Sequence, residues 1–294
     1  MPFPYLDETS ELNDATRRDA GGSFIELGDG ITHYELGGDP EGIPVVLVHG
    51  FSVPCFIYDT TFDFLKASGF HALRYDLFGR GFSDRPAVNY NIDLFTRQLV
   101  ELLDALGIRR VHLVGLSMGG PITATFVAQH PQRVMKYILI DPSGARPVKL
   151  SRLLKGIKLP LYGELALALF GRMAMVRNIA SDLFDPHLVD EFQIRYAVQM
   201  KYKGFKRAIL STLRHGMLDS FFDTYERIGK LKKPVLLLWG KNDKTVPFDQ
   251  STLLLKAFPH AEFHAVDDCG HIPHFEKPEI VNPILLEFLR KGEP

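Results

Sequence analysis

Four short, continuous apolar runs constrain the fold of this 294-residue chain more than any other feature. They are PVVLVHG at 44–50, VHLVGLS at 111–117, YILID at 137–141 and VLLLWG at 235–240. Each is too short for a helix, rich in branched side chains and not alternating, which is the pattern of a strand covered on both faces. A sheet covered on both faces needs helices as its connections. Helical periodicity follows at 57–68, 92–106, 119–130 and 278–291, so the chain reads as repeated strand–helix–strand units with a mostly parallel sheet. HALRYD at 71–76 and AEFHAVDD at 261–268 add two strands. SFIELG and ITHYELG alternate apolar and polar residues around GDG, a hairpin with a glycine turn, bringing the expected number to eight.

At about 150 residues per domain the length would suggest two domains. Yet the alternation breaks only between Asp141 and Pro234, where the sequence is helix-like throughout. The expectation is therefore one α/β domain built from 21–143 and 231–294, with a helical cap, 144–230, inserted into it. The polar first 20 residues read as a loose arm. A net charge of -1 argues against a nucleic-acid partner. No apolar run reaches the length of about 18 residues that a membrane span needs, and the N-terminus shows no signal-peptide pattern, so a cytoplasmic location is expected. Cys55 and Cys269 cannot form a disulfide scaffold and lack metal-site spacing; both read as buried free thiols. Neither a metal nor a cofactor is expected.

The chemistry concentrates at Gly115-Leu116-Ser117-Met118-Gly119, which fits G-x-S-x-G between a strand and a helix. That turn is tight enough to exclude side chains two residues before and after the serine. A serine hydroxyl needs a base to take its proton, and the base needs a carboxylate to orient it. His271, in the Gly-flanked loop after the last strand, is the expected base, with His274 its nearest rival. Asp243, just after VLLLWG, is the expected acid; Asp141, at the end of YILID, is a genuine alternative because strand-end position does not separate them. The oxyanion donors expected are the backbone N–H groups of Met118 and Phe51, the latter in the His49-Gly50-Phe51 turn.

These residues, with Asp76-Leu77-Phe78-Gly79-Arg80-Gly81-Phe82-Ser83, closely resemble an α/β-hydrolase-fold serine hydrolase. The resemblance implies an eight-stranded sheet with a helical cap over the active site, and a structural role for the 76–83 turn. Serine at 117 disfavours the branches that use aspartate or cysteine there. The HGFS, GLSMGG and CGH segments are similar to monoacylglycerol-lipase-like carboxylesterases, so the leading expectation is hydrolysis of a small ester with an apolar acyl or aryl group. The alternative is carbon–carbon hydrolysis of ring-cleavage diketo acids, whose enzymes typically have a Gly- and Ser-richer oxyanion turn and an aromatic residue near the histidine. A non-catalytic ligand receptor is a further alternative.

Residues 144–230 hold 15 basic against 8 acidic residues, the rest of the chain 19 against 27, so a basic cap faces an acidic body. Lys149, Arg152, Lys155 and Lys158 recur every three residues opposite Leu150, Leu153, Leu154 and Ile157, compatible with weak contact with a lipid surface. The abundant cap hydrophobics favour an apolar substrate group, with Leu161, Phe170 and Met173 as expected contacts.

Overall fold

The computed structural model describes residues 3–148 and 156–292. Its centre is an eight-stranded sheet in the order β1-β2-β4-β3-β5-β6-β7-β8. The strands are β1 Ser23–Leu27, β2 Gly30–Gly38, β3 Pro44–Val48, β4 His71–Tyr75, β5 Val111–Leu116, β6 Val134–Ile140, β7 Val235–Gly240 and β8 Glu262–Val266. Only β2 runs against its neighbours; β4, β3, β5, β6, β7 and β8 are all parallel.

Helices cover both faces. They are α1 Asp14–Ala20, α2 Asp59–Ala67, α3 Ile92–Ala105, α4 Gly119–Gln129, α5 Tyr162–Ile179, α6 Val189–Ala197, α7 Phe205–Arg214, α8 Phe222–Gly229, α9 Ser251–Ala257, α10 Pro273–Glu276 and α11 Pro278–Arg290. Every residue of β5 and β7 is buried, as their unbroken apolar sequences demand. One core lies under α3, α4, α8 and α9. The other lies under α2 and α11 and also takes in α6 and α7, so the helices between β6 and β7 share a core with the sheet.

The N-terminal segment is not a loose arm. Tyr5 and Glu8 are buried. The Glu8 carboxylate accepts the Gly204 and Lys206 N–H groups at 2.6 and 2.7 Å. Asp7 pairs at 2.6 Å with the Lys206 ammonium, whose side chain is wholly buried. An ammonium in that position needs a carboxylate partner, and the arm supplies it. The residues that looked merely polar are a strap across α7.

Candidate active site

Ser117 sits between β5 and α4 with φ 52, a left-handed value that a non-glycine residue adopts only when its surroundings hold it there. The hold is visible. Its N–H donates to the Ile140 carbonyl at 3.0 Å, and its carbonyl accepts from Gly120 and Ser143 at 2.9 and 3.1 Å. A Cβ on Gly115 would overlap the Gly119 carbonyl and the Thr123 hydroxyl, and one on Gly119 would overlap the Val48 carbonyl. The two glycines are required by close approach, the crowding expected of this turn.

His271 follows β8, and its Nδ1 lies 2.7 Å from Asp243 Oδ2. The other Asp243 oxygen accepts the N–H groups of Thr245 and Val246 at 2.7 and 2.9 Å. The loop after β7 therefore fixes the carboxylate before it meets the imidazole. Burial pushes the His271 pKa down, but the charge and hydrogen bond of Asp243, with Asp182 and Glu276 nearby, outweigh it and raise the net value. Nδ1–H donating to Asp243 leaves Nε2 as the basic atom. Among the described residues neither Nε2 nor the Ser117 hydroxyl has a hydrogen-bond partner, and neither is among the buried orphan atoms, so each keeps a little solvent contact although both residues are buried. His274 is different: it is wholly buried, stacked on Tyr58 at 4.4 Å, with burial pushing its pKa down to about 3.

Asp141 lies beside Asp243. The pair with His271 is made by Asp243, while Asp141 Oδ1 accepts the Gly240 N–H at 3.0 Å.

The Phe51 turn is tied from three sides. Leu77 N–H donates to His49 Nε2 at 2.9 Å, which places the ring proton on Nδ1, where it donates to the Gly50 carbonyl at 2.9 Å. Burial keeps this imidazole neutral, with its pKa pushed down to about 4. Arg80 Nε donates to the Phe51 carbonyl at 2.8 Å. Gln199, just past α6, donates to the Ser52 carbonyl at 2.7 Å and accepts the Gly81 N–H at 2.9 Å. Among the described residues neither the Phe51 nor the Met118 N–H donates to a backbone acceptor. Both remain available to an oxyanion.

Sequence reasoning missed three residues that join the helices between β6 and β7 to this site. The Asp182 carbonyl accepts the His271 N–H at 2.6 Å. Glu276 accepts from Gly270 at 2.8 Å and from Phe184 at 2.6 Å, clamping the His271 loop to the segment after α5. Gln199 is the third. None sits in a recognisable motif.

The expected substrate contacts are corrected. Leu161, Phe170 and Met173 are 76%, 60% and 69% exposed. The inward stripe of α5 is Gly163, Leu167 and Gly171, spaced by four, and Phe170 and Met173 fall off it. The core cluster that holds Val53, Leu116 and Ile272 takes from this insertion Ile179, Leu183, Phe192, Tyr196, Met200, Phe205 and Ile209. The basic amphipathic stretch lies largely outside the described residues. Elsewhere the positive excess is answered locally: Arg195 pairs with Asp59, Lys203 with Glu11, Lys206 with Asp7 and Arg214 with Glu164.

Among the described residues, two clusters bring potential metal-ligating atoms within 4.8 Å of one another: His33, Cys55 and Asp76, and Asp141, Asp243 and His271. In the first, the Asp76 carboxylate is filled by His33 Nδ1 and the N–H groups of Cys55 and Phe82. In the second, Asp243 and His271 are turned on each other.

The α/β hydrolase fold family model matches residues 43–278. The chain belongs to that family. It is a hydrolase on the sheet expected from its sequence, and the curated relatives narrow the chemistry. It is 31% identical to the 2-hydroxy-6-oxo-6-phenylhexa-2,4-dienoate hydrolase of Comamonas testosteroni, covering 97% of this chain and 100% of the relative. It is also 31% identical to a 2-hydroxy-6-oxononadienedioate/2-hydroxy-6-oxononatrienedioate hydrolase of the same organism, over 96% and 100%. Among solved structures, the meta-cleavage product hydrolase of Pseudomonas fluorescens IP01 superposes with a TM-score of 0.75 at 23% identity, covering 92% and 98%, a likeness of fold. These relatives overturn the carboxylesterase or lipase expectation in favour of its carbon–carbon alternative. The elbow and the His and Asp loops are common to both chemistries. The side chains of the Phe51-Ser52 turn do not discriminate between the two chemistries, because oxyanion donors are backbone N–H groups that side-chain identity leaves unchanged. Among the described residues, no helix is long and apolar enough to cross a membrane.

Proposed function

We propose that this hydrolase cleaves a carbon–carbon bond beside a ketone in a 2-hydroxy-6-oxo-dienoate acid, using Ser117, His271 and Asp243. The observation that carries the reading is the full-length 31% identity to a phenylhexadienoate hydrolase. The buried His271–Asp243 pair and the open Ser117 hydroxyl supply the matching chemistry.

Carbon leaves poorly unless its electron pair has somewhere to go. In this substrate class, moving the enol proton to C5 gives a 2,6-dioxo-alkene. The C5–C6 bond can then break with its electrons delocalised through the remaining alkene into the C2 carbonyl. Ser117 attacks C6 while His271 takes its proton, and Asp243 holds the imidazolium. Phe51 and Met118 N–H groups bind the oxyanion. Collapse forms an acyl-serine and expels the dienolate, which is protonated. Water activated by His271 releases the acid. One water is consumed, yielding a carboxylic acid and a 2-hydroxypentadienoate.

The test is product analysis with the phenyl-substituted dienoate. Release of equal amounts of benzoate and 2-hydroxypentadienoate is expected; no cleavage, at enzyme concentrations where simple esters turn over, sinks the proposal.

A further inference from the structure

Asp141 is a titratable group beside the triad residues to which the mechanism assigns nothing, and its placement is unusual. It follows β6 with φ 41, a left-handed conformation that costs a non-glycine residue about 1 kcal/mol. Its N–H donates to the Leu238 carbonyl of β7 at 2.9 Å, so the strand end is held while the side chain turns under the site. The side chain is wholly buried. Oδ1 accepts the Gly240 N–H at 3.0 Å. Oδ2 is buried with no donor among the described residues. Its ligand-bearing oxygen, that of Asp243 and a ring nitrogen of His271 all lie within 4.8 Å of one another.

Two ionised carboxylates that close, both buried, would repel, and the orphan oxygen would carry an uncompensated charge. A carboxyl that keeps its proton removes both problems, because the orphan oxygen becomes an O–H donor and Asp243 is the acceptor in reach. We propose that Asp141 is a positioning residue for the Ser117 site, its carboxyl donating the hydrogen bond that holds the Asp243 carboxylate against His271. Asp243 then receives the Thr245 and Val246 N–H groups on one side and His271 and Asp141 on the other. The surrounding electrostatics agree. Burial first, then the charge and hydrogen bond of Asp243, push the Asp141 pKa well above the usual carboxylate range, with the Gly240 N–H opposing and Glu276 reinforcing. The other titratable groups around this pair are His271, Asp182 and Cys269.

A donor to Asp243 withdraws part of the negative charge that His271 feels. Removing the donor makes the imidazolium more stable, so more alkaline conditions are needed to free the base. The placement rests on the Ser117–His271–Asp243 reading and not on the carbon–carbon one, so the readout is the pH dependence of Ser117 labelling by a fluorophosphonate. Asp141→Ala is expected to shift the acid limb of the labelling rate upward by about one pH unit and to slow labelling about tenfold on that limb. Asp141→Asn, whose amide still donates to Asp243 and still accepts from Gly240, is expected to recover most of both changes. If Asp141→Ala fails to fold, infrared difference spectra of wild type against Asp141→Asn at pH 7 decide, with a protonated-carboxyl band expected in the wild type. Asp141→Asn as impaired as Asp141→Ala, an unmoved acid limb, or absence of the band overturns the proposal. A wild-type protein that does not label at Ser117 overturns the triad reading itself.

Discussion

Among the described residues are two buried aspartate–histidine pairs, and they make opposite uses of one interaction. His33 Nδ1 lies 2.8 Å from Asp76 Oδ2, and His271 Nδ1 lies 2.7 Å from Asp243 Oδ2. Both pairs are almost wholly shielded from solvent, and both aspartates also accept two backbone N–H groups. They differ at the far ring nitrogen. His33 Nε2 is buried against Gly22 with no side-chain partner; His271 Nε2 opens to the site. The first pair can only hold loops together, whereas the second presents a basic nitrogen. What turns an aspartate–histidine pair into acid–base machinery is the exit from Nε2, not the strength of the pair.

The sharpest way to break the comparison is to neutralise each acid in turn. Asp243→Asn is expected to lower kcat by about four orders of magnitude, with a nearly unchanged melting temperature. Asp76→Asn is expected to cost about 3 kcal/mol of stability, because it leaves a buried network short of its charge, while kcat per folded molecule changes less than tenfold. Thermal melts and single-substrate kinetics on both variants check this.

The pairs also separate on pH. The His271 pKa is raised, so the acid limb of kcat/KM is expected above the ordinary histidine value of about 6.5, with activity lost as pH falls through it. The stabilisation from that raised pKa is complete below about 6.5 and lost as pH rises through the folded value. Asp76 behaves oppositely. Burial resists its ionisation, but the His33 hydrogen bond and charge, His49 and the Cys55 N–H outweigh it and depress its pKa. Its stabilisation is complete above about 4 and lost as pH falls below that. Parallel pH profiles of kcat/KM and of melting temperature read both signs.

A smaller effect is expected at Gln199, which joins the Ser52 carbonyl of the oxyanion turn to Gly81 of the Asp76 loop. Gln199→Leu should lower kcat/KM about tenfold, within the range of lost positioning hydrogen bonds, chiefly through kcat. The smallest change is expected at the exposed face of α5. Phe170→Ser and Met173→Ser should leave KM within about twofold, since surface substitutions are nearly neutral.

The sheet was legible because strands covered on both faces must be continuously apolar, and helices seldom fit into five residues. The placement of Ser117 in a strand–helix turn and of His271 in the loop after the last strand was legible because a G-x-S-x-G turn and a late Gly-flanked loop are read without tertiary knowledge. Asp243 was less so, because Asp141 also ends a strand and only the packing shows which carboxylate faces His271. The inward face of the insertion was not legible. Leu, Phe and Met occur around much of α5, so composition could not give its phase, and Leu161, Phe170 and Met173 were chosen from the wrong side. Asp182, Glu276 and Gln199 act through contacts more than 60 residues away in sequence, to which no local pattern points. The strap at Asp7 and Glu8 was hidden for the same reason: its partner, Lys206, is buried only in the folded chain.

The most direct test of the central claim is the rate at which the dienoate chromophore of 2-hydroxy-6-oxo-6-phenylhexa-2,4-dienoate disappears with wild-type and Ser117→Ala protein. Catalytic loss with release of benzoate by the wild type, and a fall of about four orders of magnitude or more in the variant, is the expected result. Equal rates for the two proteins, or a wild type inert toward the dienoate, would contradict it.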